Sequence, residues 1–399
     1  MKKTLIALAA LAAVSSFAQS TVSVYGAVDA SFNSASSEGV SKTFMGTSQL
    51  GSSKLGFSGT EDLGNGLKAN FKLEGGLNND SGAGKSTNTS NQVSGAVSGA
   101  GPTVNGAAGQ ASSGGFVFQR FAYVGLSGGF GEVRLGRDYV SAFLNVQAAV
   151  DPFGTNGPAD AASMALKLGG ATITSASNMI GYTSPSISGL TVGVQYFMGE
   201  NVSGKANSDD GTGTSVYAAY ANGPLFLTAG QQTTKGKAVA AVAATSTSLV
   251  GGGAVTDTAA ALALPGDYTL SALSASYDLG TAKLVYTYAK EEAVSAAAPL
   301  AAKNTTNLVG VIVPMGAFNL KASYITAART SATAGAADET GTLLGLGVDY
   351  ALSKRTTAYS TWARVTNADG GASYSTGGVG ATTANNSSQN LAIGIKHNF

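Results

Sequence analysis

Residues 21–34, TVSVYGAVDASFNS, decide the fold. Val22, Val24, Gly26, Val28, Ala30 and Phe32 fall on one face, and Ser23, Tyr25, Ala27, Asp29 and Ser31 on the other. A period of two puts successive side chains on opposite faces of an extended strand. The pattern returns at the end of the chain. There Leu391, Ile393, Ile395, His397 and Phe399 oppose Ala392, Gly394, Lys396 and Asn398. It also appears where Leu67, Ala69, Phe71 and Leu73 oppose Lys68, Asn70, Lys72 and Glu74. A strand of about ten residues with one apolar and one polar face is the repeating unit of a transmembrane barrel.

Working outward, sixteen such segments can be placed, near 21–33, 52–61, 67–76, 116–126, 131–138, 174–184, 190–198, 214–221, 225–234, 268–278, 281–290, 304–313, 317–327, 342–351, 357–366 and 389–399. Short turns such as Asp62–Gly66, Gly128–Phe130, Ser184–Gly189 and Asn222–Pro224 alternate with long polar stretches at 77–115, 139–173, 235–267 and 367–388. The short ones carry the Gly, Asn, Pro and Asp that tight turns favour. Stretch 77–115 reads as a low-complexity exposed loop. The alternation predicts an all-β, antiparallel up-and-down barrel with short turns at one rim and long loops at the other. An even strand number puts both ends of the mature chain on the short-turn side, the periplasmic one.

Composition points the same way. The 399 residues are 44% hydrophobic but only 11% charged, against about 25% charged in an ordinary soluble domain. No internal run reaches the roughly 18 apolar residues of a membrane helix. A soluble sandwich would need a charged exterior and strands of about five or six residues. A closed barrel needs few charges, since lipid covers its outer face and every backbone hydrogen bond is made within the sheet. The net charge of +1 gives no reason to expect nucleic acid as a partner. The chain has no Cys and one His. That His is His397, on the lipid-facing parity, so no catalytic site is expected. Nor is a cofactor or metal: Asn207–Gly211 lacks the spacing of a calcium loop, and Gly251–Gly253 lacks the strand-to-helix context of a phosphate loop.

The first residues read as an export leader. Lys2 and Lys3 precede an apolar run, Leu5–Val14, and Ser16-Phe17-Ala18 offers small residues for cleavage after Ala18. Residues 1–18 are thus expected to be removed and 19–399 to form the barrel. Loss of two lysines and no acids takes the net charge from +1 to −1.

Several strings, in order along the mature chain, resemble Gram-negative general diffusion porins of the betaproteobacterial type. They are Val24-Tyr25-Gly26 with Asp29, the run Lys54–Gly64, Ala122–Leu126, Gly131–Arg137, Tyr182–Pro185 and the ending Gly394–Phe399. The resemblance implies a sixteen-stranded outer-membrane barrel, a homotrimer, and a third extracellular loop folded inward to narrow a water-filled channel. Small hydrophilic solutes and ions would diffuse through it. Lipid, lipopolysaccharide and the outer-membrane assembly machinery would be its neighbours. The terminal Phe399, with apolar residues four and six before it, resembles the signal that machinery reads. An alternative reading is a barrel acting mainly as an adhesin or structural surface protein.

Selectivity in such a channel lies at its constriction. Loop three, about 139–173, contains Asp151-Pro152-Phe153-Gly154, which resembles the Pro-acid-Phe-Gly string of the inward loop, with the acid before the Pro rather than after it. Asp160 follows. Acidic groups on the loop would face basic groups on the wall and set up a transverse field. Strand parity nominates the wall: Lys54 opposes Leu55 and Phe57, Lys72 opposes Phe71 and Leu73, Arg134 opposes Val133 and Leu135, and Arg120 opposes Phe121 and Tyr123. By the resemblance, Lys54 and Arg120 match wall positions that are normally basic. A third, on the strand after loop three, is Ser175 or a neighbour. Asp151, Asp160, Lys54, Arg120, Lys72 and Arg134 are therefore the expected constriction. Asp29 and Glu74 share the polar faces and are not assigned to it. The charge preference stays open.

Overall fold

The computed structural model describes residues 21–85, 91, 116–168, 172–200, 203–204, 208–236, 266–294, 301–331, 338–379 and 383–399, and the backbone of 243–250 and 253–260. The leader, its cleavage site and most of 77–115 lie outside the described residues. Its strands are β1 (Thr21–Ser37), β2 (Val40–Thr47), β3 (Lys54–Gly64), β4 (Leu67–Gly76), β5 (Phe121–Gly128), β6 (Gly131–Tyr139), β7 (Ser175–Thr183), β8 (Leu190–Phe197), β9 (Gly213–Asn222), β10 (Leu225–Thr234), β11 (Ala243–Val250), β12 (Gly253–Ala260), β13 (Tyr268–Asp278), β14 (Lys283–Val294), β15 (Ala301–Met315), β16 (Phe318–Thr330), β17 (Glu339–Ala351), β18 (Thr356–Ala368) and β19 (Ser387–Asn398).

Among the described residues, seventeen strands form one antiparallel sheet, which closes where β19 pairs with β1. Backbone bonds join Gly26 N to Phe399 O at 3.0 Å and Phe399 N to Gly26 O at 3.1 Å across that seam. The barrel has sixteen strand positions, because β2 and β3 share one: β2 pairs with Ala30–Ser37 of β1, and β3 with Thr21–Ala27. Strand β2 lies where the sequence reading left a connection. Its Ser41, Thr43 and Gly46 dilute the alternation, and its pairing with the long upper half of β1 holds it in place. Strands β11 and β12 form a separate hairpin inside the stretch read as loop 235–267.

The parity expectation holds along the outer face. Val22, Val24, Phe32, Ile393 and Ile395 are all exposed, the condition for a lipid-facing surface. His397 shares that face and meets Thr356 Oγ1 through Nδ1 at 2.9 Å. Inside, the segment 140–168 runs through the lumen. Its π-helical segment Ala142–Gln147 packs on β9, β10 and β13, and its short helix Ala162–Ala165 on β14, β15 and β16. The buried apolar core therefore lies between loop three and the inner wall.

Candidate pore constriction

The basic side is built on β3, β4 and the start of β5. Register places Gly56 opposite Glu74 and Ser58 opposite Lys72, and puts Lys54 on the same inner face, opposite Gly76. Glu74 is 0% exposed and gathers three cations: Lys54 Nζ at 3.5 Å, Lys72 Nζ at 3.8 Å and Arg120 Nε at 2.5 Å. The Tyr25 hydroxyl donates at 2.9 Å to Oε2, the oxygen that also meets the two lysines, while Arg120 takes Oε1. The cations remain 21–31% exposed, so their charge faces water while the acid beneath is covered. Aromatic rings steady the heads. Lys72 Nζ stands 3.9 Å from the Phe121 ring centre, and the Arg120 guanidinium 5.3 Å from that of Tyr139.

One expectation needs correction. Phe121 and Tyr123 pair with Glu74 and Lys72, so they face the lumen rather than lipid. Regular alternation begins at Phe121, not at 116. Arg120 reaches Glu74 because it sits in the irregular approach to β5, where its backbone N–H bonds Glu74 O. Arg134 is on the inner face of β6, opposite Gly125, and is bound by Glu132 at 2.7 Å and Asp138 at 3.0 Å. Its charge is locally neutralised. Ser175, where the resemblance implied a third basic position, opens β7, and that strand carries no Lys or Arg. A register shift between Gly136 and Asp138 re-aims Arg137, whose Nη1 bonds Ser177 Oγ at 2.7 Å.

Loop three is seated on the opposite wall. Asp151 is buried, and its carboxylate accepts the N–H groups of Phe153 at 2.9 Å, Thr155 at 2.8 Å and Ala161 at 3.3 Å. An acid placed before the Pro thus closes the turn upon itself instead of pointing at the wall. Phe153 lies over β17: a Cβ on Gly347 would meet its ring at 2.7 Å, and one on Gly345 at 3.2 Å. Asp160 accepts the Ala162 N–H at 2.7 Å. Among the described residues neither acid forms an ion pair. Burial raises the carboxyl of Asp151, and burial with the Asp151 charge pushes Asp160 up to about 7. The returning limb is held by Glu291, which accepts Lys167 N at 2.7 Å and Leu168 N at 3.2 Å.

Sequence reasoning missed Glu74 as the hub and four further lysine or acid positions. Lys321 and Asp349 form an ion pair beneath Phe153. Lys396 lies against Gly51, and Lys85 Nζ is 3.4 Å from Ser48 Oγ, its ammonium pushed down by burial and by Arg120. Parity could have offered Lys321 and Lys396, but nothing local marks their height. Among the described residues no three His, Asp or Glu side chains converge as a metal site.

The Gram-negative porin family profile matches residues 4–370. The chain belongs to that family. Outer membrane porin protein 32 of Delftia acidovorans is 31% identical over a 417-residue alignment spanning 100% of both chains. Major outer membrane protein P.IB of Neisseria meningitidis serogroup B is 31% identical over 57% of each. A solved structure of an anion-selective porin from Comamonas acidovorans matches with a TM-score of 0.72 at 28% identity, over 96% of this chain and 100% of its own. The in-vitro folded OmpT of Vibrio cholerae in its trimer form matches with a TM-score of 0.63 at 19% identity, over 95% and 99%, a likeness of fold alone. This porin is an outer-membrane channel for passive diffusion. Its family and fold are those of non-enzymatic channels, and the adhesin alternative is not favoured.

Proposed function

We propose that the channel passes small hydrophilic solutes with a preference for anions, set where Lys54, Lys72 and Arg120 face loop three. The carrying observation is the charge count around Glu74: three partly exposed cations stand on one covered acid. Loop three adds little opposing charge. Asp151 is spent on backbone N–H groups, and Asp160 is only half ionised near neutrality. In a narrow water channel, an uncompensated row of cations raises the local concentration of anions. The relative described as anion-selective is in keeping with this. Arg134 is part of the wall but contributes little net field, because Glu132 and Asp138 bind it.

The same reading takes residues 1–18 as the removed leader, Phe399 as the assembly signal and the working unit as a homotrimer in lipid and lipopolysaccharide. No covalent chemistry belongs to it. The test is the reversal potential of purified protein in a planar bilayer under a potassium chloride gradient. A potential of the sign carried by chloride is expected, and one carried by potassium would overturn the charge assignment.

A further inference from the structure

Asp29 sits where the two strands sharing one barrel position leave a gap. Strand β2 pairs with β1 from Ala30 onward, and β3 pairs with β1 up to Ala27. Residues 48–53 between them leave the sheet. The backbone groups there lose their ladder partners, and a barrel wall in lipid cannot leave such groups unpaired. Asp29 is 0% exposed and supplies partners for several of them. Its Oδ2 accepts Leu50 N–H at 2.6 Å and Gly51 N–H at 2.7 Å. Its carbonyl accepts Ser48 N–H at 3.0 Å and the Asn79 amide at 2.6 Å, and its own N–H donates to Ser53 Oγ at 2.9 Å. The Tyr359 hydroxyl donates to Oδ1 at 2.5 Å, with its ring crossing Gly394, so the gap is tied to β18 across the closing seam.

What the gap presents to the lumen gives it a function. The tip of loop three docks there. Gly157, at φ +74°, lies so close that a Cβ would come within 2.3 Å of Gln49 O, and Ser52 Oγ meets Asn156 Oδ1 at 3.3 Å. The same segment touches the basic side, since Arg120 Nη1 donates to Ser52 Oγ at 3.1 Å and Lys396 rests on Gly51.

We propose that Asp29 is a positioning residue for the constriction: by ordering residues 48–53 it fixes the tip of loop three against the wall and sets its spacing from Arg120. This rests on the reading of loop three and the basic wall as the selective passage. An amide in place of the carboxylate leaves one acceptor oxygen for three donors, the Leu50 and Gly51 N–H groups and the Tyr359 hydroxyl, so the 48–53 segment loosens and the loop tip loses its seat.

The test is single-channel recording of Asp29→Asn and Tyr359→Phe against the parent porin. Both variants should show flickering sub-states and a higher open conductance. The chloride-over-potassium permeability ratio should fall about threefold in Asp29→Asn and less in Tyr359→Phe, because a wider passage weakens the field felt by an ion. Adding Ser52→Cys and Asn156→Cys to Asp29→Asn, in a chain that otherwise has no Cys, should restore quiet openings and the parent ratio once oxidised. Unchanged conductance and ratio in both variants would overturn the proposal. So would altered channels that the crosslink fails to restore, which would place the effect elsewhere in the barrel. If Asp29→Asn does not fold, Tyr359→Phe with the same crosslink carries the test. A parent porin without anion preference would instead defeat the charge reading, while the flicker still reports on Asp29.

Discussion

The two inner walls of this barrel obey the same alternation and yet differ in kind. On β3, β4 and β6 the inward positions are Lys54, Lys72, Glu74 and Arg134, open to water or to one another. On β15 to β18, register aligns Leu308, Ile325, Leu343 and Val365 in one inward row, all buried. A second row holds Gly310, Ser323, Gly345 and Ala363. An apolar inward row in a water-filled barrel makes sense only if something dry covers it. Loop three does so, with Val150, Phe153, Ala159 and Met164 in the same cluster. One wall is therefore a binding surface for the chain's own loop, and the other is left to meet the solute.

The difference between the two walls depends most on the seat of the loop. Phe153→Ala should cost about 3–5 kcal/mol of local packing, the usual result of deleting a buried aromatic. The expected outcome is a larger, noisier single-channel conductance with weaker ion selectivity. Gly347→Leu should act the same way from the wall side, since its side chain would occupy the space of the Phe153 ring. Quiet channels of parent conductance in both variants would refute the division into a seat and an open wall.

Charge changes on the open wall should have smaller effects of opposite sign. A unit charge at 4 Å in a water-like medium is worth about 1 kcal/mol, or roughly a fivefold change in a permeability ratio. Arg120→Gln should lower the chloride preference by about that factor. Glu74→Gln should raise it, since the acid offsets three cations. Reversal potentials moving the same way in both variants would show that the cluster does not face the ion path. Thermal melting should fall more for Glu74→Gln, which leaves cations packed together without their counter-charge.

Much of this was legible in the sequence. The strand order, the outer face and the alternating connections follow from a period of two that lipid enforces over the whole barrel. Lys54 and Lys72 followed from parity alone. Parity failed where the regular strand stopped: at Phe121, whose approach is irregular, and at Arg137, which lies in the register shift. It also could not foresee that inward positions on β15 to β18 would be apolar for the sake of a loop far earlier in the chain. The role of Asp29 depends on a split strand, and β2 carries too little pattern to announce one. The direction of the Asp151 carboxylate depends on which backbone N–H groups the turn after Pro152 brings near, and no local pattern gives that.

The smallest expected effect concerns Asp160, and it sharpens the contrast because it lies on the covered side. Burial and the neighbouring Asp151 charge raise its carboxyl from 3.8 to about 7, against the pull of the Ala162 N–H and Lys167. Below that pH the group is neutral, and above it the loop gains a negative charge. The chloride preference should therefore decline as pH rises through about 7, by roughly twofold for one half-screened charge. Because the folded value is raised, the carboxyl stabilises the fold at low pH and loses that contribution between 3.8 and about 7. Asp160→Asn should hold the low-pH permeability ratio at every pH from 5 to 9. A pH step that persists in this variant would assign it to another group, and its absence from the parent would mean that Asp160 is ionised throughout and sits in wetter surroundings than its contacts indicate.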